Sequence, residues 1–187
     1  MLIDYDEYQK VTRESSGCDD LPILALGLIG ETVEFLSSYE GIESPGDQMS
    51  VVEAANRVMS EAGDVLWYAA RIMDVIGLKF SLWQTNGTVD NFNKSCVKKN
   101  RRFRILENAA IVSEHVKKVF GHGHDLDTDL MHSALSDVII DVSYILRIIH
   151  GKAAFHTTLE HNIIKLQGRY PDGFSTSRSI NRSDQDQ

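Results

Sequence analysis

Two short runs place carboxylates where a metal ion, rather than water, would have to neutralise them. Gly30-Glu31-Thr32-Val33-Glu34 and Ser60-Glu61-Ala62-Gly63-Asp64 each set two acids three residues apart. Residues i and i+3 share a helix face, so each pair projects as a unit. At 100° per residue, the helix carrying the second pair is expected to bury an arc of Val58, Ala62, Val65, Ile72, Val75 and Ile76. Glu61 falls inside that arc and Asp64 at its edge, with Arg57, Ser60, Gly63, Arg71 and Asp74 on or towards the outer side. On the helix carrying the first pair, Leu24, Leu28, Ile29, Val33, Phe35 and Leu36 form the expected apolar face, with Glu31 at its border and Glu34 one step further round. A lone glutamate on a helix edge is usually solvated. Two same-face pairs, one on an apolar arc and with no matching buried Lys or Arg on either helix, cost too much hydration to stand alone. An oxygen-only donor set suits Mg²⁺, or Mn²⁺, rather than zinc. Glu31, Glu34, Glu61 and Asp64 are the expected metal ligands.

The surrounding pattern predicts the helices that carry them. Long stretches of 3.6-residue periodicity and only three prolines give an all-α chain. Helices are expected at 4–13, from Pro22 to about Tyr39 with Asp19 or Asp20 as cap, from Ser50 to Ile76 with a stop at Gly77, at 105–120, at 129–149 and at 158–167. A short helix is expected near 81–83, and an extended chain from Gly168 onward. The run from Asp90 to Arg104 is the one basic stretch, readable as a solvated helix face.

Composition narrows the class. The chain has 187 residues and a net charge of −8, which argues against a nucleic-acid surface. Its two cysteines, Cys18 and Cys96, fit a reducing cytosol. The N-terminal segment has no signal-peptide pattern, and no uninterrupted apolar run reaches the length of a membrane span. The expectation is a cytoplasmic protein without a nucleic-acid or membrane partner.

The chain also aligns with itself. Gly27–Glu31 lies over Ala110–Glu114, Ser60–Leu66 over Ser133–Ile139, and Gly77 and Gly151 end corresponding helices. Asn91 and Lys94 fall on Asn162 and Lys165, and Lys98 falls on Arg169. The copies differ in chemistry, since Glu34 becomes Lys117, Glu61 becomes Ala134 and Tyr68 becomes Asp141. The expected architecture is a helical bundle of two related halves, 1–104 and 105–187, packed as a pseudo-dimer, with the full acid set only in the first.

Glu-x-x-Glu followed by Glu-x-x-Asp, set in Leu26-Gly-Leu-Ile-Gly-Glu31 and Glu61-Ala-Gly-Asp-Val-Leu-Trp-Tyr68, resembles the MazG-like all-α nucleoside triphosphate pyrophosphohydrolases. That superfamily includes MazG, dimeric dUTPases and dCTP pyrophosphatases. The tail from Asn162 through Lys165-Leu-Gln-Gly-Arg169-Tyr-Pro to Asn181 is similar as well, and His122-Gly-His-Asp125 resembles the loop between the motif helices. The likeness extends over residues 5 to 182 and implies Mg²⁺-dependent cleavage of a nucleoside triphosphate between its α- and β-phosphates. It implies metal ligation by the four acids, with Glu34 and Glu61 as catalytic residues and Glu34 positioning the attacking water. Lys94, Lys98, Lys165 and Arg169 are candidates for the phosphates, and Tyr68 and Asn91 for hydrogen bonds to substrate. The intact acids sit in one copy and the intact tail in the other, so which basic residues reach the triphosphate stays open. A homodimer is the expected assembly.

Two rival readings remain from the sequence. One is a non-catalytic nucleotide-binding or assembly module of the same fold. The other is a di-iron carboxylate bundle, against which stands the lack of Glu-x-x-His pairs, since Glu34 and Asp64 occupy the histidine positions. Trp67, Trp83 and Phe35 are candidates to stack a base, although aromatics at helical spacing usually belong to the core.

Overall fold

The computed structural model describes residues 3–43, 50–86 and 101–170. Within them the chain forms six α-helices: α1 (Tyr5–Glu14), α2 (Leu21–Glu43), α3 (Val51–Val75), α4 (Arg101–His122), α5 (Thr128–His150) and α6 (Ala154–Arg169). A 3-10 helix at Phe80–Asn86 follows α3. No strand occurs among the described residues, as the periodicity predicts.

Local chemistry sets the ends. Asp4 caps α1, and Asp20 accepts from the Ile23 amide to cap α2. Ser50 and Glu53 form a reciprocal capping box on α3, in which each side chain accepts from the other residue's amide. At the far end Gly77 takes φ +77°, and the Leu78 amide reaches back to the Met73 carbonyl at 2.7 Å, closing the helix. Asp127 caps α5, and Gly151 ends it at φ +87°.

The helices pack as two long pairs, α2 with α3 and α4 with α5. α2 also lies along α4, α3 lies along α5, and α6 crosses onto α3. Paired residues fix the directions: Gly27 lies against Tyr68 while Glu34 meets Glu61, and Ser113 donates to the carbonyl of Ala25 while Arg102 meets Glu40. Both relations run antiparallel. The core is continuous through all of them, with Leu24, Leu28, Phe35, Val58, Val65, Ile72, Ile105, Leu135 and Leu146 almost fully buried. Each such large side chain contributes roughly 2 kcal/mol of transfer free energy. Mean hydropathy over Leu21–Ile42 is 1.4, so α2 is long and apolar enough by composition to cross a bilayer, which the acid-interrupted sequence did not suggest. α2 packs against both α3 and α4, and 33% of that stretch is buried.

Several expected positions move. α4 starts at Arg101 rather than 105, and α6 runs from 154 to 169, so Gly168 and Arg169 are helical rather than extended. Val33 and Val75 are exposed, while Ala25 and Thr32 are buried in α2's inner face. Gly63 and Arg71, expected outward, are both buried. Arg71 is fully enclosed, and its guanidinium pairs with Asp19 of the loop before α2 and with Asp74 at 2.5 Å. Asp74 is shared with Arg13. The non-local Asp19 makes that burial tolerable. Phe35 and Trp83 are core residues, and the Trp67 indole donates to Ser15.

Candidate metal centre

The acids of α2 and α3 meet between the two helices, halfway along them. One carboxylate oxygen from each of Glu31, Glu34 and Glu61 lies within 4.8 Å of the others. Glu31 and Glu61 are half-buried, and Glu34 is exposed. Burial pushes the Glu31 carboxyl up to about 7, helped by the charges of Asp64, Glu34 and Glu61. The same causes raise Glu61, opposed by Lys165 and Arg57. Arg57 stands 3.7 Å from Glu61 and is largely exposed, so it offsets little of the repulsion.

Asp64 departs from the expected set of four. It lies close enough to raise Glu31 and Glu61, yet its carboxylate is already engaged. Lys165 of α6 donates to both of its oxygens at 2.6 Å and approaches Ser60 at 3.4 Å. Asn162 donates to Asp64 at 3.2 Å and accepts at 3.0 Å from the hydroxyl of Tyr8. Tyr8 is fully buried, and enclosure together with the charge of Asp64 holds its hydroxyl well above the usual phenol range. The expectation that neither helix buries a Lys or Arg is corrected at Arg71. Arg71 is buried on α3 itself but spent on Asp19 and Asp74, whereas Lys165 arrives from a different helix and reaches the site.

Three predicted acids are thus brought together, with the fourth beside them and Lys165 against it. Tyr68 borders the site by spacing: it is one turn from Asp64 on α3, and it packs on Gly27, one turn from Glu31 on α2. Arg169 sits in the last turn of α6, one turn beyond Lys165. Asn91, Lys94 and Lys98 lie outside the described residues. Tyr8 and Asn162 complete the surroundings. Asn162 carried a hint in the internal alignment, but nothing in the spacing of α1 marks Tyr8 as a neighbour.

The aligned positions in α4 and α5 are arranged differently. Asp141 is fully buried on Arg101 at 2.5 Å and lies 3.5 Å from Arg104, which also approaches Asp137 at 3.5 Å. Arg101 stacks on the ring of Tyr144. Glu114 is exposed and pairs with Lys117 and Lys118. Buried or half-buried guanidinium groups supply there a positive charge that the group of Glu31, Glu34 and Glu61 meets only in the exposed Arg57 and in Lys165 of α6. His122 and His124 stand exposed at the end of α4 with rings 6.5 Å apart, outside any group of metal-ligating side chains found among the described residues.

The donor chemistry fits a hard divalent cation. Three carboxylates from two helices converge, two with their charged forms disfavoured by burial and like charge, and no nitrogen or sulfur donor joins the group among the described residues. No protein-family model matches the chain, and no solved structure matches it. Its sequence is similar to the Gene 37 protein of Mycobacterium phage L5, with 29% identity over 87 residues that cover 45% of this chain and 73% of the phage protein.

Proposed function

We propose that the chain is a Mg²⁺-dependent nucleoside triphosphate pyrophosphohydrolase of the MazG-like all-α type. It releases a nucleoside or deoxynucleoside monophosphate and pyrophosphate. The observation that carries this reading is the convergence of Glu31, Glu34 and Glu61 within 4.8 Å, beside Asp64 and across from Lys165. Glu31, Glu34, Glu61 and Asp64 would hold Mg²⁺ or Mn²⁺, which when bound neutralises phosphate charge and lowers the pKa of water.

The chain's own groups do the rest. Phosphoryl chemistry asks for positioning and charge stabilisation more than for a protein nucleophile. Water adds to the α-phosphorus, the bond from that phosphorus to the α–β bridging oxygen breaks, and the bridging oxygen departs with pyrophosphate. Glu34, the most exposed acid, would accept the water's proton, and Lys165, with Arg169 one turn further along α6, would meet the leaving phosphates. Tyr68, on the site's border, is a hydrogen-bond donor to substrate. The internal likeness is read as a pseudo-dimer in which α6 of the second half completes the site of the first.

A panel of ribo- and deoxynucleoside triphosphates incubated with Mg²⁺, with pyrophosphate and orthophosphate quantified separately, tests this directly. The expected result is stoichiometric pyrophosphate and monophosphate, abolished by Glu61→Gln. Orthophosphate as first product, or turnover insensitive to Glu61→Gln, contradicts it. Nucleotide binding without turnover would point instead to the non-catalytic binding module.

A further inference from the structure

We propose that Lys165 is a resident counter-cation of the acid site, holding Asp64 until a divalent ion takes its place. The inference rests on the metal reading above and adds to it an exchange between two cations.

The geometry separates a fixed part from a movable one. Asn162 is fixed: it is 2% exposed, its amide is held between the Tyr8 hydroxyl and Asp64, and it packs on the bare backbone of Gly63. A Cβ at position 63 would stand 3.0 Å from its Nδ2. α6 is therefore seated firmly one turn before Lys165. The Lys165 ammonium, by contrast, ends a flexible four-carbon stem and among the described residues is held by the two Asp64 oxygens and, more loosely, Ser60. Both oxygens of Asp64 are thereby engaged by one ammonium. This explains why Asp64 is drawn aside from the group formed by Glu31, Glu34 and Glu61.

A divalent ion entering that group repels the ammonium and competes for the same carboxylate. In a site partly shielded from water this competition is stronger than the same pair would feel on the surface. Freed from Asp64, Lys165 remains tethered beside the site, where a polyphosphate would offer new partners. Metal and polyphosphate then favour each other's binding, because each removes a cost from the other.

The test measures Mn²⁺ binding without nucleotide, by calorimetry, in the unaltered chain, in Lys165→Met and in Arg57→Met. Both substitutions remove one positive charge near Glu61, but only the first frees Asp64. Lys165→Met is expected to bind Mn²⁺ roughly tenfold more tightly, and Arg57→Met within about threefold of the unaltered chain. Equal or weaker binding by Lys165→Met, with the unaltered chain binding normally, overturns the exchange and leaves the metal reading intact. Absence of Mn²⁺ binding in all three proteins overturns the metal reading itself. A second measurement needs no variant: acylation of lysines by acetic anhydride, read by mass spectrometry. Labelling of Lys165 is expected to rise several-fold when Mn²⁺ is added, with Lys10 and Lys79 unchanged. Lys165 equally protected with and without bound Mn²⁺ overturns the proposal.

Discussion

The ring of Tyr68 lies directly on the backbone of Gly27, so close that a Cβ at position 27 would stand 2.1 Å from the ring's Cε1 and 2.8 Å from its hydroxyl oxygen. The absence of a side chain on α2 gives Tyr68 its place beside the acid site. Gly27→Ala is expected to force the ring off α2 and to destabilise the chain by about 1–3 kcal/mol, the usual cost of overpacking. In a Tyr68→Ala background the same substitution has nothing to collide with. Urea unfolding of the four proteins in this cycle is expected to show a coupling of at least about 1 kcal/mol; additive effects would mean the contact does not position Tyr68.

Glu31 links stability to pH in a direction opposite to most carboxylates. Its carboxyl is raised to about 7, chiefly by burial, so its protonated form suits the metal-free fold. Stability from this group is fully present below the ordinary glutamate range and is lost as pH rises through 7. Thermal melts in chelator are expected to fall in Tm between pH 5.5 and 8, and Glu31→Gln to flatten that slope. At pH 8 Glu31→Gln is expected to gain on the order of 1 kcal/mol, after allowance for the part of the carboxylate in water. Adding Mg²⁺ to the unaltered chain at pH 8 is expected to raise Tm, because the ion binds the ionised form. A chelator-treated chain whose melting is the same at both pH values would remove the electrostatic basis of the site.

Asp74 responds in the other direction. The Arg13 hydrogen bond, then that of Arg71, holds its carboxyl below the usual range, so its contribution is retained at neutral pH and lost on strong acidification.

The second half should behave as structure rather than as a metal site. Asp141→Asn leaves the buried guanidinium of Arg101 with a neutral partner, and a loss of about 3 kcal/mol is expected. Mn²⁺ affinity is expected to stay within about twofold, since the pair belongs to α4 and α5. A large change in affinity without loss of stability would reverse these roles.

The proposed homodimer has apolar surface available. Leu26, Phe103 and Phe120 are 70%, 61% and 61% exposed, and a groove of about 540 Å³ lined by Phe103, Leu106, Ala110, Ile111 and Leu130 runs along α4. Apolar area of this kind on a helix face favours association. Light scattering is expected to give twice the chain mass, and half that mass for Leu26→Glu with Phe103→Glu; a monomeric unaltered chain would remove the dimer from the account.

The sequence revealed most where a residue's neighbours along the chain decide its environment. Asp20 at the start of α2, Ser50 at the start of α3 and the glycines 77 and 151 mark helix ends by chemistry local to each end, and the structure follows them. The same locality brought Glu31, Glu34 and Glu61 to one place, because two helices with paired acids on facing arcs have few other ways to pack. What failed depended on distant partners. Arg71 looked solvent-bound because its burial is licensed by Asp19, fifty-two residues earlier. Arg101 and Arg104 read in sequence as part of a solvated basic run, whereas Asp141 and Asp137 beneath them carry α4 back to Arg101. Lys165, a hundred and one residues from Asp64, cannot be placed against it by periodicity.

The most direct test of the whole account is the anomalous scattering of Mn²⁺ soaked into crystals of the chain. A single strong site, or a close pair, is expected between the carboxylates of Glu31, Glu34 and Glu61, with the Asp64 oxygens drawn in and Lys165 withdrawn. Manganese found elsewhere, or those three carboxylates facing solvent with no ion between them, would contradict it.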